Sequence, residues 1–390
     1  MKQRLSLLLI ITVMGVCFLA ARTMGVRVDE PSHHAQIERY VAGNYVTTTT
    51  AAGGFEATAA VFARLTGRSA KEDIRLFVLL ISGATIVLFR SLVRSFEPQA
   101  STMRTLQFVF FPLLFPFWFL IYTDVYALML LLLAILALTR HRFHLSGILM
   151  ILSVMVRQTY IVWLALLGLW TVIVNFAEPL RQIVKRGTSF SIGAGLFLLF
   201  VIANGGVAVG ARDTHPNFVF RTENLLFMLI CFFLMFLPLI LSTLPRIARL
   251  QRALLVGVPL SSVVLFFGTF RVDHPNNTQG QHYFLRNALL EVMTSSTVAG
   301  VVASVAIALA VLSLCVIRLR QPVHYLIYPF AALSVMPSWL IAPRYYLPAF
   351  ALFMLFRESA PPRVERAVVA TNVVMALYLF VGIVEGWFFL

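Results

Sequence analysis

The sequence predicts an all-α fold, a polytopic bundle of transmembrane helices with a cytoplasmic N-terminus. Three observations carry that expectation. Of 390 residues, 60% are hydrophobic, and the mean hydropathy of +0.88 is far above what a water-soluble surface tolerates. Only 12% of residues are charged, and they fall between apolar runs of roughly 15 to 22 residues, the length a helix needs to cross the bilayer core. Lipid offers no partner to an unpaired amide, so such runs close their hydrogen bonds as helices.

Apolar runs place about thirteen spans, near 5–24, 74–93, 105–122, 125–139, 145–156, 160–176, 187–205, 222–242, 253–270, 296–317, 323–341, 345–357 and 366–385. The runs 125–139, 145–156 and 345–357 are short for an upright crossing and read as re-entrant or deep in the bundle. The first run follows Lys2 and Arg4 and ends near Ala20-Ala21, the pattern of a secretory signal. With a dozen runs behind it, it reads instead as a retained signal anchor.

Alternating the spans from a cytoplasmic N-terminus gathers 18 basic residues on that side, Arg104 and Arg357 among them, against the four acids Glu97, Glu178, Glu358 and Glu365. The other side keeps 13 basic and 12 acidic residues of the chain's 31 and 16, so the pattern obeys the positive-inside rule. The net charge of +15 is therefore read as topology and not as nucleic-acid binding. Cys17, Cys231 and Cys315 each sit inside an apolar run, which gives no disulfide framework. No internal repeat or soluble domain is visible, and residues 1–390 read as one membrane-embedded domain with an external loop over 25–73.

The external side holds the residues able to do chemistry. Asp29-Glu30-Pro31-Ser32-His33-His34-Ala35-Gln36 sets two adjacent acids and two histidines just after the first span. Neighbouring carboxylates repel, which favours one of them as a proton acceptor; the structural reading makes Asp29 the cap of a helix that Pro31 starts. Asp124 lies where one apolar run meets the next almost without a loop, and ionisable groups at that depth are costly to keep there. Arg157-Gln158 marks a similar break, where an arginine suits a phosphate or a pairing with Asp124. Later loops add Asp213, His215, Asp273, His274, Asn276, Asn277, His282 and Tyr283, and Arg344 and Tyr345 close the set. Arginine or histidine neutralises a departing lipid phosphate, and a carboxylate deprotonates an incoming hydroxyl. Nothing here has the tight spacing of a metal site, and no cofactor or metal is expected. Asn276-Asn277-Thr278 is a glycosylation sequon of low specificity.

At these residues the sequence resembles a known family, the dolichyl-phosphate-glucose α-1,2-glucosyltransferases that add the third, terminal glucose to the lipid-linked oligosaccharide used for N-glycosylation. Asp29 to Tyr40 is similar to the family's MDEIFHxPQAQRY segment, and Gly43-Asn44-Tyr45 with Thr47 to Thr50 stands where the family has TTxPGLY. Phe115 to Asp124 resembles FFFxFLYYTD, and Leu152 to Trp163 resembles LSVLFRQTNIVW. Gly210 to His215 is similar to a GDxSNH loop, His274-Pro275 with His282-Tyr283 to HPxLLADNRHYTFY, and Pro343-Arg344-Tyr345 to EPRYF. The matches occur in family order along nearly the whole chain. The family's proline is absent where this chain reads Ala51-Ala52-Gly53-Gly54, and Ala342 stands where the family has glutamate.

The resemblance implies a GT-C fold that moves glucose from a polyprenyl-phosphate donor to a lipid-linked glycan acceptor in one inverting displacement. It implies an active site on the lumenal face of the endoplasmic reticulum membrane, or on the periplasmic face of a bacterial inner membrane. Membrane lipid is then a partner and nucleic acid is not. By the same resemblance Asp29 is the general base, with Glu30 positioning it or sharing the role. Arg344, His282 and Arg157 hold the donor phosphate, and His33, Gln36, Asp124, Gln158, His215, Tyr283 and Tyr345 meet sugar or acceptor hydroxyls. An alternative is a polyprenyl-phosphate-sugar transferase for another sugar or acceptor, such as a bacterial cell-envelope glycan, and the competing function class is a transporter or flippase. Its signature is ionisable residues in mid-span and broken helices at the bilayer centre, whereas these charges crowd one face.

Overall fold

The computed structural model of the chain describes residues 2–210, 220–278 and 283–390, with side chains from Ile10 onward. Among the described residues there are helices and no named strand. The first nine are α1 (Lys2–Thr23), α2 (Glu30–Val41), α3 (Gly54–Thr66), α4 (Lys71–Phe96), α5 (Ser101–Val109), α6 (Thr123–Thr139), α7 (Phe143–Val156), α8 (Ile161–Val174) and α9 (Leu180–Asn204). They are followed by α10 (Glu223–Met235), α11 (Leu237–Ile247), α12 (Arg252–Thr269), α13 (Leu285–Thr294), α14 (Thr297–Val316), α15 (Ile327–Val335), α16 (Leu347–Phe356) and α17 (Pro362–Glu385). The chain divides into two compact units, one of Met1–Thr102 with Pro116–Asn217, the other of Met103–Phe115 with Phe218–Leu390.

Five helices are long and apolar enough to cross a membrane: α4, α9, α12, α14 and α17. Four match an expected span to within four residues, and α9 begins seven residues before the expected 187–205. Their outer faces explain themselves only in lipid: Leu196, Leu199 and Ile202 on α9, and Val256, Leu260 and Val264 on α12, are exposed at helical spacing. The chain is thus an integral membrane protein.

The runs 125–139, 145–156 and 345–357, read as re-entrant or deep in the bundle, are α6, α7 and α16. α6, α7, α8 and α15 are shorter apolar helices, and every residue of the ten-residue α16 is buried. At 1.5 Å per residue α16 covers about 15 Å, half the hydrocarbon thickness. The run 222–242 breaks at Phe236 into α10 and α11, bent by 96°. Pro238 explains the break, because it supplies no amide hydrogen and its ring crowds the preceding turn.

In the first unit the loop expected over 25–73 carries two short helices. Gln36 of α2 organises the segment that joins them: its Nε2 donates to Val46 O at 3.0 Å, and its Oε1 accepts from Thr48 N at 2.8 Å and Thr48 Oγ1 at 2.9 Å. The Gly53-Gly54 pair then lets α3 begin. Gly53 has φ +82° and Gly54 lies so close to α7 that an added Cβ would stand 2.8 Å from Met155 O. A larger residue at Gly54 would push the first turn of α3 away from α7, and one at Gly53 would run into the Tyr40 hydroxyl.

In the second unit two arginines that charge counting places in cytoplasmic loops are buried. Arg357 grips Glu365 through both terminal nitrogens at 2.7 Å and reaches Gln107 Oε1 at 2.8 Å. Arg104 donates to Met354 O at 2.6 Å and to Ser359 Oγ at 3.2 Å. Both guanidinium groups close carbonyls and carboxylates at helix ends that lipid cannot solvate.

Candidate functional site

The geometry of the first unit starts from a buried ion pair. Arg75, at the start of α4, is fully buried with Glu30. Its Nε and Nη2 donate to the two oxygens of Glu30 at 3.1 and 2.8 Å, and its other hydrogens go to Ala21 O, Met24 O and Gly25 O at 2.6, 2.8 and 3.1 Å. Glu30 also accepts from Arg27 N at 2.8 Å and Ile121 N at 2.9 Å. Four donors occupy one carboxylate. Glu30 therefore ties the exit of α1, the start of α2 and the approach to α6 into one body.

Asp29 is held at the rim of that body. It is the N-cap of α2, as its reading as a cap predicts, yet its side chain makes no capping hydrogen bond. Its amide donates to Tyr122 Oη at 3.1 Å, and that hydroxyl donates to Arg27 O at 3.3 Å. Before it, Val28 adopts φ +49°, a region that a β-branched side chain enters only when its surroundings force it, at about 1–3 kcal/mol. The Glu30 clamp on either side supplies that force.

One turn into α2, His33 Nδ1 lies 2.6 Å from Glu56 Oε1 on α3, with side chains 11% and 0% exposed. The His33 ring also meets Tyr122 edge-on, at 5.7 Å between centroids. α3 touches α6 through Phe55 against Tyr126 at 6.3 Å and through Thr58 Oγ1 to Tyr126 Oη at 3.3 Å. Asp124 on α6 pairs with Arg157 at the end of α7, the pairing that their positions at two helix breaks allow. Gln158 Nε2 donates to Thr50 O at 3.0 Å, and Thr50 O and Thr49 O accept from Val209 N and Gly210 N at 3.2 and 3.0 Å. The segments around Asp29, Thr47–Thr50, Asp124, Arg157 and Gly210 thus gather within the first unit.

Gln36 lies in the same unit with its amide committed to the loop. His34 Nε2 bonds Ser69 O at 2.9 Å and stays with the next loop. His215 and Asp213 lie outside the described residues, as does His282.

The second unit carries the remaining candidates on two stitched loops. Asn277 does the stitching: it donates to Ile341 O at 3.0 Å and accepts from Ile341 N at 2.9 Å, as a strand neighbour would. Asn224 secures the same segment by donating to Ser338 O at 2.8 Å and Leu340 O at 3.0 Å, and it accepts from Tyr346 Oη at 2.9 Å. Arg344 and Tyr345 follow directly, with the guanidinium 5.9 Å from the Tyr345 ring centre. Tyr283 uses its carbonyl to accept from Phe389 N at 2.7 Å. The sequon residue Asn276 lies in the stitched turn, accepting from Asn287 Nδ2 at 3.0 Å through its carbonyl.

Asp273 closes the same loops from outside. It accepts from Arg221 and from Trp339 Nε1, each at 2.7 Å. Partial burial raises its pKa, but the Trp339 and Arg221 hydrogen bonds and the Arg221 charge outweigh burial and hold the carboxyl below its ordinary 3.8. A depressed carboxylate stabilises the fold above the unfolded value and loses that contribution as pH falls. Acidification below pH 3.8 is therefore expected to release the Trp339 indole, read as a change in tryptophan emission that Asp273→Asn abolishes. An unchanged pH profile in that variant would remove Asp273 from the clasp.

Among the described residues no three His, Cys, Asp or Glu side chains gather as a metal site would require. Sequence reasoning passed over Arg75 and Glu56. Both had a signal: each is a charge at the edge of an apolar helical run, where an ionisable group persists only with a partner.

The model of the DIE2/ALG10 family matches residues 25–181 and 168–355. A curated relative from Debaryomyces hansenii (strain ATCC 36239 / CBS 767 / BCRC 21394 / JCM 1990 / NBRC 0083 / IGC 2968), the Dol-P-Glc:Glc(2)Man(9)GlcNAc(2)-PP-Dol alpha-1,2-glucosyltransferase, is 28% identical over 151 residues. That match covers 33% of this chain and 32% of the relative's length. No solved structure matches the chain.

Proposed function

The chain belongs to the DIE2/ALG10 family, and from that premise we propose that it is an inverting, polyprenyl-phosphate-dependent glucosyltransferase. Its donor is dolichyl-phosphate glucose and its acceptor a lipid-linked oligosaccharide ending in glucose, joined by an α-1,2 bond. The fold is of the GT-C type, with a cytoplasmic N-terminus and the site on the opposite face, lumenal in the endoplasmic reticulum. The observation that carries the reading is the gathering of Asp29, His33, Asp124 and Arg157 within one unit. These residues come from three segments distant in sequence, Asp29 and His33 sharing one of them.

In the proposed reaction Asp29 takes the proton of the acceptor hydroxyl as its oxygen bonds to the anomeric carbon. The bond from that carbon to the phosphate oxygen breaks, and its electron pair leaves with the lipid phosphate. An already ionised phosphate needs no proton donor, only cations to meet its charge. Arg157 and Arg344 are proposed for that task, and Asp124, Gln158, Tyr283 and Tyr345 for hydroxyl groups. Glu30, with four donors on its carboxylate, is proposed as scaffold and not as base.

The test is transfer by the purified chain in liposomes, with dolichyl-phosphate glucose as donor and Glc(2)Man(9)GlcNAc(2)-PP-Dol as acceptor. A product one hexose heavier, carrying an α-1,2 linkage, is expected. A folded chain that moves no hexose, or that takes glucose only from a nucleotide sugar, would overturn the proposal.

A further inference from the structure

We propose that Glu56 and His33 form a subsite for hydroxyl groups of the glycan acceptor, in which Glu56 is the positioning residue for the imidazole. The inference rests on the transferase reading above and adds to His33, which its motifs include, a partner that they do not, Glu56. Glu56 lies in the first turn of α3 and follows the Gly53-Gly54 pair, where this chain departs from the family segment it resembles.

The chemistry follows from which atoms are engaged. Glu56 is fully buried and His33 Nδ1 stands 2.6 Å from its Oε1. A carboxylate there accepts the Nδ1 hydrogen, which fixes the tautomer and leaves Nε2 as a hydrogen-bond acceptor. Among the described residues Nε2 has no hydrogen-bond partner. Glu56 Oε2, on the same carboxylate, is buried without a donor among the described residues. Both atoms are acceptors, and a buried carboxylate oxygen is costly to leave without a donor. The complementary ligand is therefore rich in O–H donors, as a sugar is. An anion such as phosphate would meet acceptors facing acceptors. Asp29 stands one turn from His33, whose amide donates to Asp29 O at 3.1 Å. A sugar hydroxyl held on His33 is thus placed beside the proposed base.

The experiment measures initial rates of the full chain in liposomes. The acceptor Glc(2)Man(9)GlcNAc(2)-PP-Dol is varied at saturating dolichyl-phosphate glucose, and the donor is then varied at saturating acceptor. Glu56→Gln puts an amide donor where an acceptor stood and relaxes the tautomer. It is expected to raise the acceptor KM about tenfold, the worth of one hydrogen bond to a charged group, with kcat and donor KM within about threefold of wild type. Glu56→Asp restores the carboxylate and is expected to recover most of the loss. His33→Gln, which keeps an acceptor atom near the position of Nε2, is expected to bind acceptor better than His33→Ala. A merely structural glutamate would move the thermal midpoint and both KM values together. An unchanged acceptor KM in Glu56→Gln, or equal losses for both substrates, overturns this inference while wild-type transfer preserves the functional reading. A wild-type chain inert with both substrates overturns the two together.

Discussion

Asp29→Asn is expected to cut glucosyl transfer by about 10²–10⁴-fold, the usual contribution of a positioned general base, in a chain that folds as well as wild type. The two halves of that expectation have separate physical grounds. Asp29 is an N-cap whose side chain makes no capping bond, and asparagine serves at least as well at that position, so the substitution leaves α2 intact. What it removes is the proton acceptor. The backbone around it is already set in an unfavourable conformation, with Val28 at φ +49°, the kind of local strain that a fold keeps where a site needs it. The measurements are the rate at saturating donor and acceptor and the thermal midpoint in the same detergent. Full transfer by a folded Asp29→Asn chain would end the assignment of Asp29 as base.

The next residue predicts the reverse pattern. Removing Arg75 leaves the buried Glu30 carboxyl with no counter-charge, and takes the donors from Ala21 O, Met24 O and Gly25 O. Breaking one partner of such a pair costs about 3–5 kcal/mol, against a total stability of about 5–15 kcal/mol for a typical domain. Arg75→Ala is therefore expected to lower the thermal midpoint and the folded yield severely. Glu30→Gln exchanges an acceptor for a donor in the same cage and is expected to lose stability as well, while each folded molecule retains wild-type kcat. A Glu30→Gln chain of unchanged midpoint and reduced kcat would return that carboxylate to the chemistry. Two adjacent acids thus separate by experiment: the first governs rate, the second governs folding.

Much of the fold was legible along the chain. The long apolar runs at α4, α12, α14 and α17 predict helices correct to a few residues, and that at α9 misses only its polar first two turns, because hydrophobic length and helical rise are local properties. The run 345–357, short for an upright crossing and read as re-entrant or deep in the bundle, became α16, and all ten of its residues are buried in protein. Hydropathy measures dislike of water, and a protein interior satisfies that dislike as well as lipid does.

The site divides along the same line. Composition and spacing brought forward Asp29, His33, Asp124 and Arg157, since each is an ionisable group where apolar runs end. Adjacent in sequence, Asp29 and Glu30 carried the same signal, and nothing local told them apart. The sequence by itself determined that this chain lives in a membrane as helices and which polar residues stand at their ends. Only the tertiary structure decided which carboxylates are caged and which keep an oxygen without a donor. The partners that make the difference, Arg75 for Glu30 and His33 for Glu56, lie 45 and 23 residues away. A side chain's chemistry is set by the donors around it, and donors that far along the chain are brought near only by packing.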